Sequence, residues 1–61
     1  MMFKEGDRVR VDMPGCKRSH HPVGTVVRDQ VEGDQVVIRC DGYQFEHTFT
    51  DAHLVRKEDT A

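Results

Sequence analysis

Short stretches in which apolar and polar residues alternate one for one, separated by glycine- and proline-bearing segments, run through this sequence and point to an all-β chain. The first is Gly6-Asp7-Arg8-Val9-Arg10-Val11-Asp12, where a period of two puts Val9 and Val11 on one face and Arg8, Arg10 and Asp12 on the other. Met13 to Pro22 follows with Pro14, Gly15 and Pro22 and no period at all, which reads as a long loop. Loops of this length in small domains often carry function. Gly24-Thr25-Val26-Val27-Arg28 gathers β-branched residues into a second strand, and Val31-Glu32-Gly33-Asp34 supplies turn chemistry. Gln35 to Cys40 is the most apolar strand, with Val36, Ile38 and Cys40 predicted to point one way and Val37 and Arg39 the other. Asp41-Gly42 predicts a two-residue type I′ hairpin, because such turns need positive φ at both central positions. The fourth strand is then Tyr43 to Phe49, with Tyr43, Phe45, His47 and Phe49 on one face and Gln44, Glu46 and Thr48 on the other. Thr50-Asp51-Ala52-His53 suits one 3₁₀ turn, and Leu54-Val55-Arg56 closes the sheet as a fifth strand. Met1-Met2 reads as a frayed start and Lys57 to Ala61 as a polar tail.

A long loop between strands one and two and a 3₁₀ turn before strand five give the plan of a small five-stranded SH3-like β-barrel. Closure of such a barrel removes exposed sheet edges. A five-stranded OB barrel is the alternative, although it usually asks for a longer chain and an interposed helix. With 61 residues there is one domain, residues 1–61, with an ordered core over about 4–56. A chain this short buries only about 60% of the surface that its unfolded form exposes, so no large enclosed substrate cavity is expected.

Nine basic residues are scattered among eleven acidic ones, for a net charge of -2, and bulk electrostatics therefore does not call for nucleic acid. With no Trp, one Tyr and three Phe, the chain lacks the aromatic stock of a dedicated base-stacking or proline-peptide groove. The two cysteines, Cys16 and Cys40, come with neither a signal peptide nor an apolar run long enough to span a bilayer. A cytoplasmic protein with free thiols is expected.

Gly6-Asp7-Arg8-Val9-Arg10-Val11, Val23-Gly24-Thr25-Val26-Val27, Val36-Val37-Ile38-Arg39, and Phe49 with Leu54 five residues on are together similar to the SH3-like barrels grouped as electron-transport accessory proteins. That group includes the photosystem I subunit PsaE, the ferredoxin-thioredoxin reductase variable chain and the nitrile hydratase β-subunit. The resemblance covers about residues 4 to 56, and His20-His21-Pro22 is similar to a run in the reductase variable chain, without the longer insertion found there. It implies a non-catalytic barrel that docks on a larger redox or metal enzyme. KOW, Tudor-like and other small barrels share the same opening pattern. The Gly-Asp-Arg-Val-Arg opening also resembles the plasmid type II dihydrofolate reductases, whose shared pore depends on a Val-Gln-Ile-Tyr stretch. Here the corresponding residues are His47-Thr48-Phe49-Thr50, with threonine in place of both Gln and Tyr, so the amide and the phenolic hydroxyl that would hold the substrates are absent.

Cys16 and His20 are the best local pair for a metal, with Cys40 or His47 as remote partners, but zinc usually takes two such close pairs and only one is present. Cys40 belongs on the inward face with Val36 and Ile38, where a thiol packs as a small apolar group. No metal or cofactor is expected. Catalysis through Cys16 with His20 or His21 would need a group to orient the base and an oxyanion site, and neither is legible, so no catalytic residue is expected. Phe45 and Phe49 read as core, and Tyr43, beside the turn, as the exposed aromatic.

The leading expectation is a protein-binding accessory or regulatory module that meets a larger protein through the 13–22 loop and adjoining turns, using Lys17, Arg18, His20, His21 and Tyr43. The alternative is a small nucleic-acid-binding barrel with a basic face of Arg8, Arg10, Lys17, Arg18, Arg28 and Arg39. The two separate on whether those cations form a continuous stripe or alternate with acids. A type II reductase relative stands third. Monomer and homodimer are not distinguished by the sequence, and no membrane partner is expected.

Overall fold

The computed structural model describes residues 3–31 and 33–58; Met1-Met2, Glu32 and the last three residues of the expected tail lie outside them. The alternating segments form β1 (Arg8–Val11), β2 (Val23–Val26), β3 (Val36–Cys40), β4 (His47–Phe49) and β5 (Val55–Lys57). All four ladders are antiparallel, and together they make one five-stranded sheet in the order β4-β3-β2-β1-β5. A 3₁₀ turn precedes β5 as expected, but over Ala52–Leu54, so that Leu54 belongs to the turn and Lys57, expected in the tail, to the strand. A second one, Arg18–His20, sits inside the loop that the sequence leaves without structure.

The inward residues agree with the period-two pattern. Val9 and Val11 from β1, Val26 from β2, Val36, Ile38 and Cys40 from β3 and Val55 from β5 are buried, and Phe49 and Ala52 pack against them. Arg39 on β3 is exposed and Val37 only half-buried, as the alternation requires. Phe3, just outside the expected ordered core, is also buried. Its N–H donates to Gln30 Oε1 and its carbonyl accepts from the Gln30 N–H, at 3.1 and 2.9 Å, which ties the start of the chain to the segment after β2.

Four expectations are corrected in the second half of the chain: the turn type, the length of β4, the burial of Phe45 and the closure of the barrel. The turn after β3 has a Tyr43 N–H bond to the Cys40 carbonyl at 3.1 Å, with positive φ at Gly42 (+88°) and not at Asp41. That is the dihedral pattern of a type II turn, not type I′. A two-residue I′ hairpin would pair Cys40 with Tyr43 and Ile38 with Phe45, whereas β3 and β4 pair Ile38 with His47 and Val36 with Phe49. The register is therefore slipped by two residues. Side chains keep their faces after an even slip, but Tyr43 to Glu46 are carried past the end of the ladder, so β4 is three residues long where seven were expected. Phe45, expected in the core, is 76% exposed. The closure expected of a barrel is also missing, since no ladder joins β4 to β5 among the described residues.

Gly24 sits in the middle of the middle strand, paired with Val9 on one side and Cys40 on the other. A Cβ built there would lie 2.4 Å from the Arg39 carbonyl oxygen and 2.7 Å from Cys40 Cα, closer than backbone atoms allow. Gly24→Ala is expected to cost about 1–3 kcal/mol through this overlap. Ile38→Ala, which leaves a cavity beneath β3, is expected to cost about 2–5 kcal/mol. Urea unfolding of each variant measures this, and a Gly24→Ala protein as stable as the parent would contradict the close approach.

Candidate functional site

The irregular segment after β3 builds the most distinctive surface feature. Because Tyr43 to Glu46 leave the ladder, their side chains stand away from the core: Tyr43 is 62% exposed and Phe45 is the more exposed of the two. Tyr43 and His47 meet edge to face with ring centroids 6.0 Å apart. Pro22, at the end of the long loop, faces the same space, and with Cys40, Tyr43, Phe45, His47 and Phe49 it bounds an apolar groove of about 460 Å³. On the other side of Tyr43 lies a more polar depression of about 580 Å³, bordered by Glu5, Thr25, Arg39 and Asp41. Tyr43 thus stands between an apolar and a polar hollow, with His47 on the apolar side.

Arg8 holds the turn that presents these residues. From β1 it reaches across its cross-strand neighbour Thr25, donating to Thr25 Oγ1 at 2.8 Å and to both oxygens of Asp41 at 2.9 and 2.7 Å. A bidentate guanidinium–carboxylate pair fixes geometry as well as charge. The Arg8 hydrogen bond holds the Asp41 carboxyl below its ordinary range, with slight burial acting the other way, and Arg8 is raised in turn.

The six expected cations divide evenly. Arg8 pairs with Asp41, Arg10 with Glu58 at 2.6 Å and Arg28 with Glu46 at 2.6 Å. Lys17, Arg18 and Arg39 are exposed and have no acidic partner among the described residues. The face is therefore interrupted by acids along β1 and after β2.

Of the loop residues, Lys17, Arg18 and His20 are exposed, and His21 turns inward. The His21 Nε2–H donates to the Cys16 carbonyl at 3.1 Å, closing the loop on itself, while Nδ1 lies 3.6 Å from Asp12 Oδ1 without a hydrogen-bond partner. The other oxygen of Asp12 is 3.4 Å from Arg56 Nε, so one carboxylate links the loop to β5. Tyr43 shares its groove with Pro22 at the loop end; Arg18 and His21 do not border that groove. Nothing in the sequence pattern marks Phe45 or Pro22 as surface residues, and the exposure of Phe45 follows from the register slip, which leaves no mark in the alternation.

Among the described residues no three His, Cys, Asp or Glu side chains are gathered as a metal site needs. Cys16 is exposed and Cys40 buried, and both are free thiols. Burial, with the Asp41 charge added to it, pushes the Cys40 thiol up. No described helix is long and apolar enough to cross a membrane. A disulfide reagent is expected to modify Cys16 at once and Cys40 only on unfolding, since a buried, protonated thiol is a poor nucleophile. Two equally fast thiols in the native protein would contradict the packing of β3. No protein-family model matches the chain, and no curated protein or solved structure shows significant similarity to it.

Proposed function

We propose that this chain is a non-catalytic protein-binding module, an SH3-like sheet that docks on a larger partner through the groove beside β4 and the loop that ends at Pro22. The observation that carries this reading is Phe45, 76% exposed and adjoining the exposed Tyr43 in one apolar groove. A single exposed apolar residue is ordinary, but a cluster of aromatics around a concave surface costs solubility and is characteristic of contact sites. Tyr and Phe also supply large contact area for little conformational entropy.

The strand order, with β1 central to β2 and β5 and a 3₁₀ turn leading into β5, supports the SH3-like assignment. The resemblance to electron-transport accessory proteins supports an accessory role rather than an active site of its own. Pairing of Arg8, Arg10 and Arg28 with acids favours a protein over a nucleic acid, because a phosphate-tracking face needs its cations free. Lys17, Arg18 and His20 are exposed on the loop that ends at Pro22, where they would steer a partner of opposite charge.

Phe45→Ser tests the reading directly. The side chain supports nothing beneath it, so stability is expected to stay within about 0.5 kcal/mol of the parent. A partner captured from the source organism by the parent chain is expected to be lost by the variant, as judged by co-purification. Fluorescence anisotropy with a labelled duplex gives the opposing outcome: tight binding that falls steeply between low and moderate salt would replace the protein-binding reading with the nucleic-acid one.

A further inference from the structure

The two edges of the sheet differ in a way that bears on what docks. β5 carries Arg56 and Lys57 on exposed positions, with Lys57 Nζ 3.6 Å from Asp7 and Arg56 Nε 3.4 Å from Asp12. Charges placed on an edge strand discourage another strand from pairing there. β4 has no such guard: His47, Thr48 and Phe49 include neither lysine, arginine nor proline, and the aromatic groove lies against them.

The backbone of β4 can be oriented from its neighbours. The Val27 N–H donates to the Val37 carbonyl at 2.9 Å and the Asp41 N–H to the Val23 carbonyl at 2.8 Å, which turns the odd-numbered residues of β3 toward β2. N–H and C=O of a strand residue project to the same side and alternate along the chain, so the even-numbered residues of β3 face β4. Val36–Phe49 and Ile38–His47 are then the hydrogen-bonded pairs. Thr48 is left with its N–H and C=O directed outward, and no described backbone group bonds to either.

We infer that the occupant of this site is an extended segment of another protein, which adds as a strand to the outer edge of β4. Its backbone pairs with Thr48, and the residues on either side of that pair send apolar side chains into the groove of Pro22, Tyr43, Phe45 and Phe49. This rests on the protein-binding reading above and adds to it the conformation of the partner. The area available decides between such a segment and a second copy of the chain. Exposed Tyr43 and Phe45 offer roughly 200–350 Å² of aromatic surface. A stable interface between folded partners takes about 800 Å² from each, whereas strand addition draws affinity from main-chain hydrogen bonds and needs only pockets for alternate side chains.

The probe is a blocked hexapeptide alternating lysine with valine and phenylalanine, titrated into the full chain and followed by amide NMR. The Thr48 amide is expected to shift and to exchange more slowly as peptide is added, together with shifts at Phe45 and Phe49. Methylating the peptide nitrogens along one edge removes its main-chain donors and is expected to weaken binding about three- to tenfold for each bond lost. Thr48→Pro removes the outward donor without touching the β3–β4 bonds, since those use His47 and Phe49, and is expected to weaken binding by a similar factor. If Phe45→Ser abolishes binding while the methylated peptide and Thr48→Pro bind as well as the parents, strand addition is wrong and the groove reading stands. Absence of any shift at millimolar peptide overturns the proposal, as does a concentration-dependent dimer in which Thr48 is already protected.

Discussion

The sheet depends on a side chain that is missing. β2 lies at its centre, and the backbones of β2 and β3 come together at Gly24 more closely than any Cβ would permit, with the Arg39 carbonyl oxygen 2.4 Å from where that atom would stand. This approach sets the spacing at which Val26 and Ile38 bury completely and at which Cys40 fills the space beside them. Cys40, the partner of Gly24, is the last residue of β3, and the turn carrying Asp41 and Tyr43 leaves the sheet directly after it. Arg8 secures that turn from the far side of β2 through Thr25 and Asp41. Core and groove are thus connected through one short stretch of β3.

Much of the fold was legible because the alternation in β1 and β3 is also the burial pattern. Val9, Val11, Val36, Ile38 and Cys40 face inward for the reason that made them recognisable, namely that β-branched and small apolar residues gain most from one dry face of a pleated strand. The fourth strand shows where this stops. Tyr43, Phe45, His47 and Phe49 alternate as well as any strand, but alternation is blind to a slip of two residues, which preserves the faces while moving Phe45 off the ladder. Register was decided by the turn, and Asp-Gly serves a single positive φ at glycine as readily as the I′ geometry. Phe3 was missed for a simpler reason: one apolar residue amid polar neighbours has no period to read.

The candidate site inherits both the success and the failure. Tyr43 was identified as exposed from its place beside the turn, and it borders the groove. The loop cations Lys17 and Arg18 are exposed, but His21 is drawn down between Asp12 and the Cys16 carbonyl, where it fastens the loop instead of projecting from it. Whether a loop histidine reaches out or folds back depends on acceptors far away in sequence, such as Asp12 at the end of β1. The irregularity that spoiled the strand expectation is what creates the surface, since a regular hairpin would have set Phe45 opposite Ile38 and left no aromatic groove.

Amide hydrogen exchange across β4 in the free protein separates an open outer edge from a paired inner one, because the two have different signatures within three consecutive residues. The amides of His47 and Phe49, bonded to β3, are expected to be protected while the Thr48 amide exchanges at close to the rate of an unstructured chain. A protected Thr48 amide in the monomer, or an unprotected His47 and Phe49, would contradict this arrangement.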